Sequence, residues 1–158
     1  MSRAFVKESD GEDPGALPER RVSDLPNLVT ARGLRLIEET LAQLESEHAS
    51  ARAAEDRAAM ARLARDLRYW QARHGSAQLA PPAEPGTSGF GTRVTFRDAE
   101  GRRRSYRLVG EDEADPAAGR VSWCSPIGRA LAGHRVGDVS SGPRGELEIL
   151  EIDTKPEP

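Results

Sequence analysis

The chain has 158 residues, of which 31% are charged and 37% hydrophobic, and its formal net charge is −3. This length suits one compact domain with an appendage rather than two full domains. The acidic balance offers no basic footprint for unaided nucleic-acid binding, and no apolar run is long enough to span a membrane. A single cysteine, Cys124, excludes an internal disulfide, and residues 1–8 lack the apolar core of a signal peptide. We expect a cytoplasmic protein.

The first 27 residues predict a disordered lead-in, because Ser9–Pro26 contains glycine, prolines and acids but few apolar side chains. Helical periodicity begins at Thr30, which is a good N-cap residue. Two apolar seams with alternating steps of three and four then follow. They consist of Leu34, Ile37, Leu41, Leu44, His48 and Ala51, and of Met60, Leu63, Leu67, Trp70, His74 and Ala77.

The seams predict an antiparallel helical hairpin over residues 28–79, with its turn near Ser50–Asp56, because neither helix can bury its seam alone. One uninterrupted helix is the alternative, since no proline or glycine forces a turn there. Residues 80–89 form a linker in which Pro81–Gly86 ends regular structure.

Beyond the linker the period changes to two, which predicts an α+β domain over residues 90–153 and a tail over 154–158. The expected architecture is an antiparallel sheet with one short helix, which Ser125 and Pro126 begin as N-cap and first helical residue. The predicted strands are Thr92–Arg97, Arg104–Val109, Val121–Cys124 and Glu146–Ile152.

Several separated motifs occur in the same order as in one known family. They are Leu28–Leu34, Phe90–Thr95, Tyr106–Asp115, Ser125–Leu131, Arg135–Asp138 and the strand Leu147–Ile152. Together they resemble the Gre family of bacterial transcript cleavage factors (GreA/GreB), including its Rnk-like short-arm members. The resemblance implies an FKBP-like C-terminal domain without isomerase activity.

The resemblance also implies a partner, RNA polymerase. In this family the globular domain holds the rim of the enzyme's secondary channel and the coiled-coil arm enters it. Acids at the arm tip help to hold the second magnesium ion that activates water for RNA cleavage. Here the family's tip motif, a Gly-Asp segment followed by Glu-Asn-Ala and an aromatic residue, is absent. The arm is also shorter by roughly ten residues per helix, or about 15 Å.

A carboxylate must lie within about 2.5 Å of a metal ion to bind it, so the tip acids of a shorter arm would stop short of the active site. We therefore expect a transcription elongation regulator that binds RNA polymerase but is not an enzyme. We expect a monomer without cofactor, membrane contact or sequence-specific nucleic-acid contact. A cleavage factor acting through the tip acids, and a helical adaptor unrelated to polymerase, are the alternatives.

The candidate arm-tip residues are Glu47, Glu55 and Asp56, which act either as a charged probe or simply as acids that favour a helix start. The candidate polymerase-binding residues are Ser125, Pro126 and Ile127, for which plain helix capping is the competing explanation.

The remaining polar features predict structural roles. Cys124 is expected to be a buried strand thiol, and His48 and His74 to pack in the seams. The arginines at positions 62, 65, 68 and 73 are expected on a solvated helix face. Residues Glu111–Asp115 predict an acidic surface loop, since they lack the pattern of a calcium loop.

Overall fold

A computed structural model describes residues 17–158 and contains a helical hairpin followed by a five-stranded sheet with one short helix. The predicted α+β class is confirmed. The helices are α1 (Ala31–Ala53), α2 (Arg57–Ser76) and α3 (Pro126–Leu131). The strands are β1 (Leu28–Val29), β2 (Gln78–Leu79), β3 (Arg93–Arg97), β4 (Arg103–Val109), β5 (Arg120–Ser122), β6 (Val139–Gly142) and β7 (Gly145–Asp153).

The hairpin, which we call the arm, consists of α1 and α2. Its first helix begins as predicted, with the Thr30 hydroxyl accepting a hydrogen bond of 2.9 Å from the Gly33 amide. The two helices are joined by Ala54–Asp56. The turn therefore lies inside the predicted segment, and the alternative of one uninterrupted helix is wrong.

The buried seam of the arm includes Ile37, Ala51 and Leu63, as the periodicity predicts. At the base of α2, however, the buried position belongs to Arg73, which is 1% exposed. His74, predicted in the seam, is instead exposed and lies 3.6 Å from the Glu38 carboxylate. The charged Arg73 side chain can be buried because carboxylates from outside the arm surround it, as described below.

The base of the arm is closed by a two-stranded parallel ladder in which β1 pairs with β2. Leu28 lies opposite Gln78, and Val29 lies opposite Leu79. Gly110, immediately after β4, packs so closely that an added Cβ atom would lie 2.5 Å from the Leu28 carbonyl oxygen. The sheet and the arm base are thus in direct backbone contact.

The main sheet has the strand order β5-β4-β3-β7-β6. Strand β3 lies at its centre and pairs antiparallel with both β4 and β7. Alternation along the strands places one apolar face against α3, as expected for a half-buried sheet. The buried core consists of Val94, Phe96, Leu108, Leu131, Leu147 and Ile149.

Three features of the sheet differ from the prediction. The sheet is mixed rather than wholly antiparallel, because β5 runs parallel to β4. The polar strand β6 has no apolar alternation and was not expected. Strand β5 ends at Ser122, so Cys124 lies in the turn before α3 rather than in a buried strand. Its Sγ atom is 3.0 Å from the Ser122 hydroxyl.

Residues 17–27, predicted as part of a disordered lead-in, lie along α2 instead. Arg20 places its guanidinium 3.8 Å from the centre of the Tyr69 ring, and Asn27 is buried at the arm base. Residues 1–16 of that predicted lead-in lie outside the described residues. The domain boundaries stay a prediction. Within residues 17–158 no helix is long and apolar enough to cross a membrane.

Candidate functional site

The tip of the arm carries Glu55 and Asp56 in different roles. Asp56 is the N-cap of α2, and its carboxylate accepts a hydrogen bond of 3.0 Å from the Ala59 amide. Glu55 has a φ of 54°, the left-handed conformation that commonly ends a helix and that favours glycine. Its side chain is exposed and has no hydrogen-bond or ion-pair partner among the described residues. One of the two tip acids is thus engaged in capping.

Glu47, the third predicted tip acid, lies six residues before the end of α1, or about 9 Å back along the helix axis. Its carboxylate accepts a hydrogen bond of 2.9 Å from the Gln43 side chain. Throughout residues 17–158, no three His, Cys, Asp or Glu side chains are grouped so as to hold a metal ion. The structure therefore does not bring the three predicted tip acids together.

Ser125, Pro126 and Ile127 form the first turn of α3. The Ser125 hydroxyl donates to the Ser122 carbonyl over 2.6 Å and accepts from the Gly128 amide over 3.1 Å. Pro126 has the fixed φ that suits a first helical residue, and Ile127 packs against the sheet core. The capping explanation is therefore satisfied, and the polymerase-binding role of these residues stays a prediction.

A cavity of about 420 Å³, which we call the groove, opens between this helix turn and the sheet. Pro126 and Ile127 form one wall. The apolar side chains that line it from the sheet are Phe96, Tyr106, Val121 and Leu147. Three arginines stand among its lining residues: Arg102, Arg104 and Arg144. Asp98 and Glu100 line the groove as well and form ion pairs with Arg102 and Arg104. The groove therefore has an apolar floor and a rim of mixed charge, which is the composition of many protein-binding surfaces.

Asp98 organises the rim of the groove in the β3–β4 turn. Its carboxylate accepts hydrogen bonds from the side chains of Arg102, over 3.1 Å, and Arg104, over 3.0 Å. Burial acts to raise the pKa of Asp98, but the backbone and side-chain hydrogen bonds from these arginines outweigh it and lower the pKa. Asp98 thus stays ionised and keeps two of the rim arginines oriented.

A second cluster of charges lies where the arm meets the sheet. It is centred on the 3-10 turn Glu111–Glu113, which we call the junction turn. Asp112 accepts hydrogen bonds from Arg73 Nε and from the Tyr69 hydroxyl, both over 2.5 Å. A carboxylate oxygen of Glu111 lies 3.5 Å from Arg73 Nη2. Two acids of the sheet domain therefore neutralise the buried arginine of α2.

Glu113, the third acid of this turn, contacts α1 instead. It is 7% exposed, and its carboxylate accepts from the Thr30 hydroxyl over 2.6 Å and from Arg32 over 3.1 Å. The Thr30 hydroxyl therefore accepts from the helix and donates to the domain. The prediction of an acidic surface loop is wrong for these residues, because their charges are paired with the arm.

Tyr69 links this cluster to residues 17–27. Burial and its hydrogen bond to Asp112 raise the pKa of Tyr69 to about 12. On its other side lies Arg20, which also forms an ion pair of 3.5 Å with Asp66. Glu19 is paired with Arg68. The prediction of a solvated arginine face on α2 is therefore wrong for Arg73, which is buried and paired.

Sequence reasoning missed the junction turn because its partners are distant along the chain: Arg73 precedes Asp112 by 39 residues, and Thr30 precedes Glu113 by 83. The sequence did indicate one buried position at the end of α2, because the spacing of the seam calls for it. The seam assigned that position to His74, whereas the buried residue is its neighbour Arg73. Three consecutive acids at 111–113 without a basic neighbour in sequence were a second indication, since they call for cationic partners from elsewhere in the chain.

Comparison with family models matches residues 83–154 to the C-terminal domain of the transcription elongation factors GreA and GreB. Transcription elongation factor GreA 1 of Lactiplantibacillus plantarum is 32% identical over 149 residues, covering 82% of this chain and 96% of the relative. GreA of Trichlorobacter lovleyi is 44% identical over 69 residues, covering 40% of this chain and 43% of the relative. The chain thus spans less than half the length of some of the curated relatives that it matches.

Among solved structures, GreA factor homolog 1 (Gfh1) of Thermus thermophilus is similar, at 25% identity and a TM-score of 0.39. The similarity covers 81% of this chain and 99% of the homolog.

Proposed function

This chain belongs to the GreA/GreB family of transcription elongation factors, and we propose that it regulates elongation by binding bacterial RNA polymerase at the secondary channel without stimulating RNA cleavage. The observation that carries the proposal is the match to a GreA protein along 96% of that relative's length. This match extends through both the arm and the sheet domain. A factor that kept both parts has the means to hold the channel rim and to insert an arm.

The surface that we assign to the rim is the groove beside Ser125, Pro126 and Ile127. It offers an apolar floor next to a rigid, capped helix turn. Asp98 orients two of its arginines, Arg102 and Arg104, so little of their side-chain entropy is lost when a partner binds.

The arm supports a non-cleaving role through its length and through the chemistry of its tip. The 23 residues of α1 span about 34 Å and the 20 of α2 about 30 Å. At the tip Asp56 is engaged in capping, which leaves Glu55 as the tip acid whose carboxylate has no hydrogen-bond or ion-pair partner among the described residues. Binding of a second magnesium ion calls for oxygen ligands within about 2–2.5 Å, and we infer that the tip acids of an arm of this length do not come that close to the polymerase active site.

We further propose that the protein works in the cytoplasm as a monomer and without a cofactor of its own. No metal-binding cluster is needed for a factor that occupies a channel by shape and charge.

The decisive experiment uses core RNA polymerase stalled in a backtracked complex. Binding is measured by pull-down, and RNA shortening is measured on the same complex. We expect polymerase to be recovered, the rate of RNA shortening to stay at its basal level, and a true cleavage factor to be inhibited in competition. The variant Ile127→Ala should weaken binding, whereas Val136→Ala, on an exposed side chain outside the groove, is the matched control.

Two outcomes would overturn the proposal. Faster RNA shortening that Glu55→Ala with Asp56→Ala abolishes would identify a cleavage factor acting through the tip acids. No recovery of polymerase, together with concentration-dependent association of the arm, would identify a helical adaptor.

A further inference from the structure

The junction turn places three consecutive acids between the two helices of the arm and the sheet domain. We propose that this turn is a positioning element that sets the direction of the arm relative to the sheet, with Asp112 holding α2 and Glu113 holding α1. This inference concerns the geometry of the protein itself and goes beyond the binding of polymerase.

The contact with α2 is buried and charged on both sides. The Arg73 side chain is 2% exposed and that of Asp112 is 12% exposed, and their hydrogen bond is 2.5 Å long. A hydrogen bond between two ionised groups is roughly twice as strong as one between neutral groups. Tyr69 donates to the same carboxylate from one turn earlier on the helix. Two points on one face of α2 are therefore tied to a single side chain of the sheet domain.

The contact with α1 is made at its first turn. Glu113 receives hydrogen bonds from Thr30, the N-cap, and from Arg32. The fit is close, because a Cβ atom on Gly33 would lie 2.7 Å from the Glu113 carboxylate oxygen. A bulkier residue at position 33 would displace this carboxylate, so glycine permits the helix to approach the junction turn.

These two contacts act on different helices of the arm base. Packed helices lie about 8–10 Å apart, and the arm extends about 34 Å beyond the base. A slip of about 1 Å between the two contacts therefore moves the tip by roughly 3–4 Å. Small changes in the junction turn are amplified at the tip, which is why this element determines where the tip acids lie.

The functional consequence rests on the proposed function. The proposed factor binds the channel rim with its sheet domain and inserts its arm into the channel. Its affinity is higher when domain and arm keep a fixed angle, because the second contact then forms at a high effective concentration. Loss of the junction would lower occupancy of the channel without removing the groove.

The inference is tested by measuring distances between spin labels in the full chain. The labels are placed on Ala58→Cys, in the exposed first turn of α2, and on Ser141→Cys, on exposed strand β6, with Cys124→Ser removing the native thiol. The test variant combines Asp112→Asn and Glu113→Gln. Its matched control is Glu146→Gln, which removes the charge of an exposed acid that has no ion pair within residues 17–158.

We expect one narrow distance distribution in the parent and in the control. In the test variant we expect the distance distribution to broaden or its mean to shift by about 3 Å or more. This is the shift that the ratio of arm length to helix separation predicts for a slip of about 1 Å at the base. Helical content and the near-ultraviolet signal of the tryptophans are measured in parallel. If the double variant does not fold, Tyr69→Phe, which removes one hydrogen bond to Asp112, is measured in its place.

An unchanged narrow distribution in a folded junction variant would overturn the inference. A broad distribution in the parent protein would also overturn it. Neither result depends on polymerase, so failure of the parent to bind polymerase would refute the proposed function and leave the distance result intact.

Discussion

Replacement of Arg73 by methionine is expected to lower the free energy of unfolding by about 3 kcal/mol. Methionine keeps most of the apolar stem but leaves the buried Asp112 carboxylate without its cation. Breaking a buried ion pair in this way costs about 3–5 kcal/mol. We place Arg73→Met at the lower end because the Tyr69 hydroxyl still donates a hydrogen bond to Asp112 when the arginine is gone. For a protein of this size the loss corresponds to a fall in Tm of roughly 6–12 °C.

The assay is urea and thermal unfolding followed by circular dichroism. Arg62→Met is the matched control, because Arg62 is exposed on the same helix and no described carboxylate lies within ion-pair distance of it. Its effect should stay within about 0.5 kcal/mol. The double-mutant cycle of Arg73→Met with Asp112→Asn should give a coupling energy of about 1–3 kcal/mol. A loss below about 1 kcal/mol for Arg73→Met, or zero coupling, would refute the reasoning.

Three further outcomes follow from the same structure. Gly110→Ala should destabilise the protein by about 1–3 kcal/mol, because its Cβ atom would overlap the backbone of β1. Gly75→Ala, in an open helical position, should instead stabilise the protein by up to about 1 kcal/mol. Unfolding curves of the two variants test both expectations, and equal effects would contradict the packing described. Glu55→Gly should raise the free energy of unfolding by up to about 1 kcal/mol by relieving the left-handed backbone, and a lower midpoint would count against this. Tyr69 has its pKa raised from 10 to about 12, so the stabilisation linked to its proton is complete below pH 10 and is lost as the pH rises through 12. In a pH titration, tyrosinate absorbance should rise at a higher pH for this residue than for an exposed tyrosine. Tyr69→Phe should abolish the step at the higher pH.

The elements that could be predicted are those with a regular local pattern. The seams from Leu34 to Ala51 and from Met60 to Leu67 predicted the two helices, and alternation predicted β3, β4 and β7. The cap of α3 at Ser125 was also encoded locally, since a hydroxyl before a proline satisfies the first amides of a helix.

The elements that were missed depend on tertiary partners. Strand β6 is polar and half-exposed, so it carries no hydrophobic period. The parallel pairing of β5 is a property of topology rather than of its three residues. Burial of Arg73 follows from carboxylates 38 and 39 residues away, and no local rule predicts a buried arginine. For the candidate site, the tip acids and the Ser125 turn could be named from local sequence and their roles stay predictions, whereas the junction turn could not be named.

The parallel pair of β1 and β2 places the entry and the exit of the arm side by side. In terms of chain topology, the arm is an excursion of the chain that leaves and returns at one place, because the β1–β2 ladder holds its two ends together. Adding one heptad to each helix would lengthen it by about 10 Å while leaving the base, the ladder and the sheet unchanged. The length of the arm and the structure of its base are therefore separable variables in this architecture, and the length can be changed by paired insertions or deletions without redesigning the base.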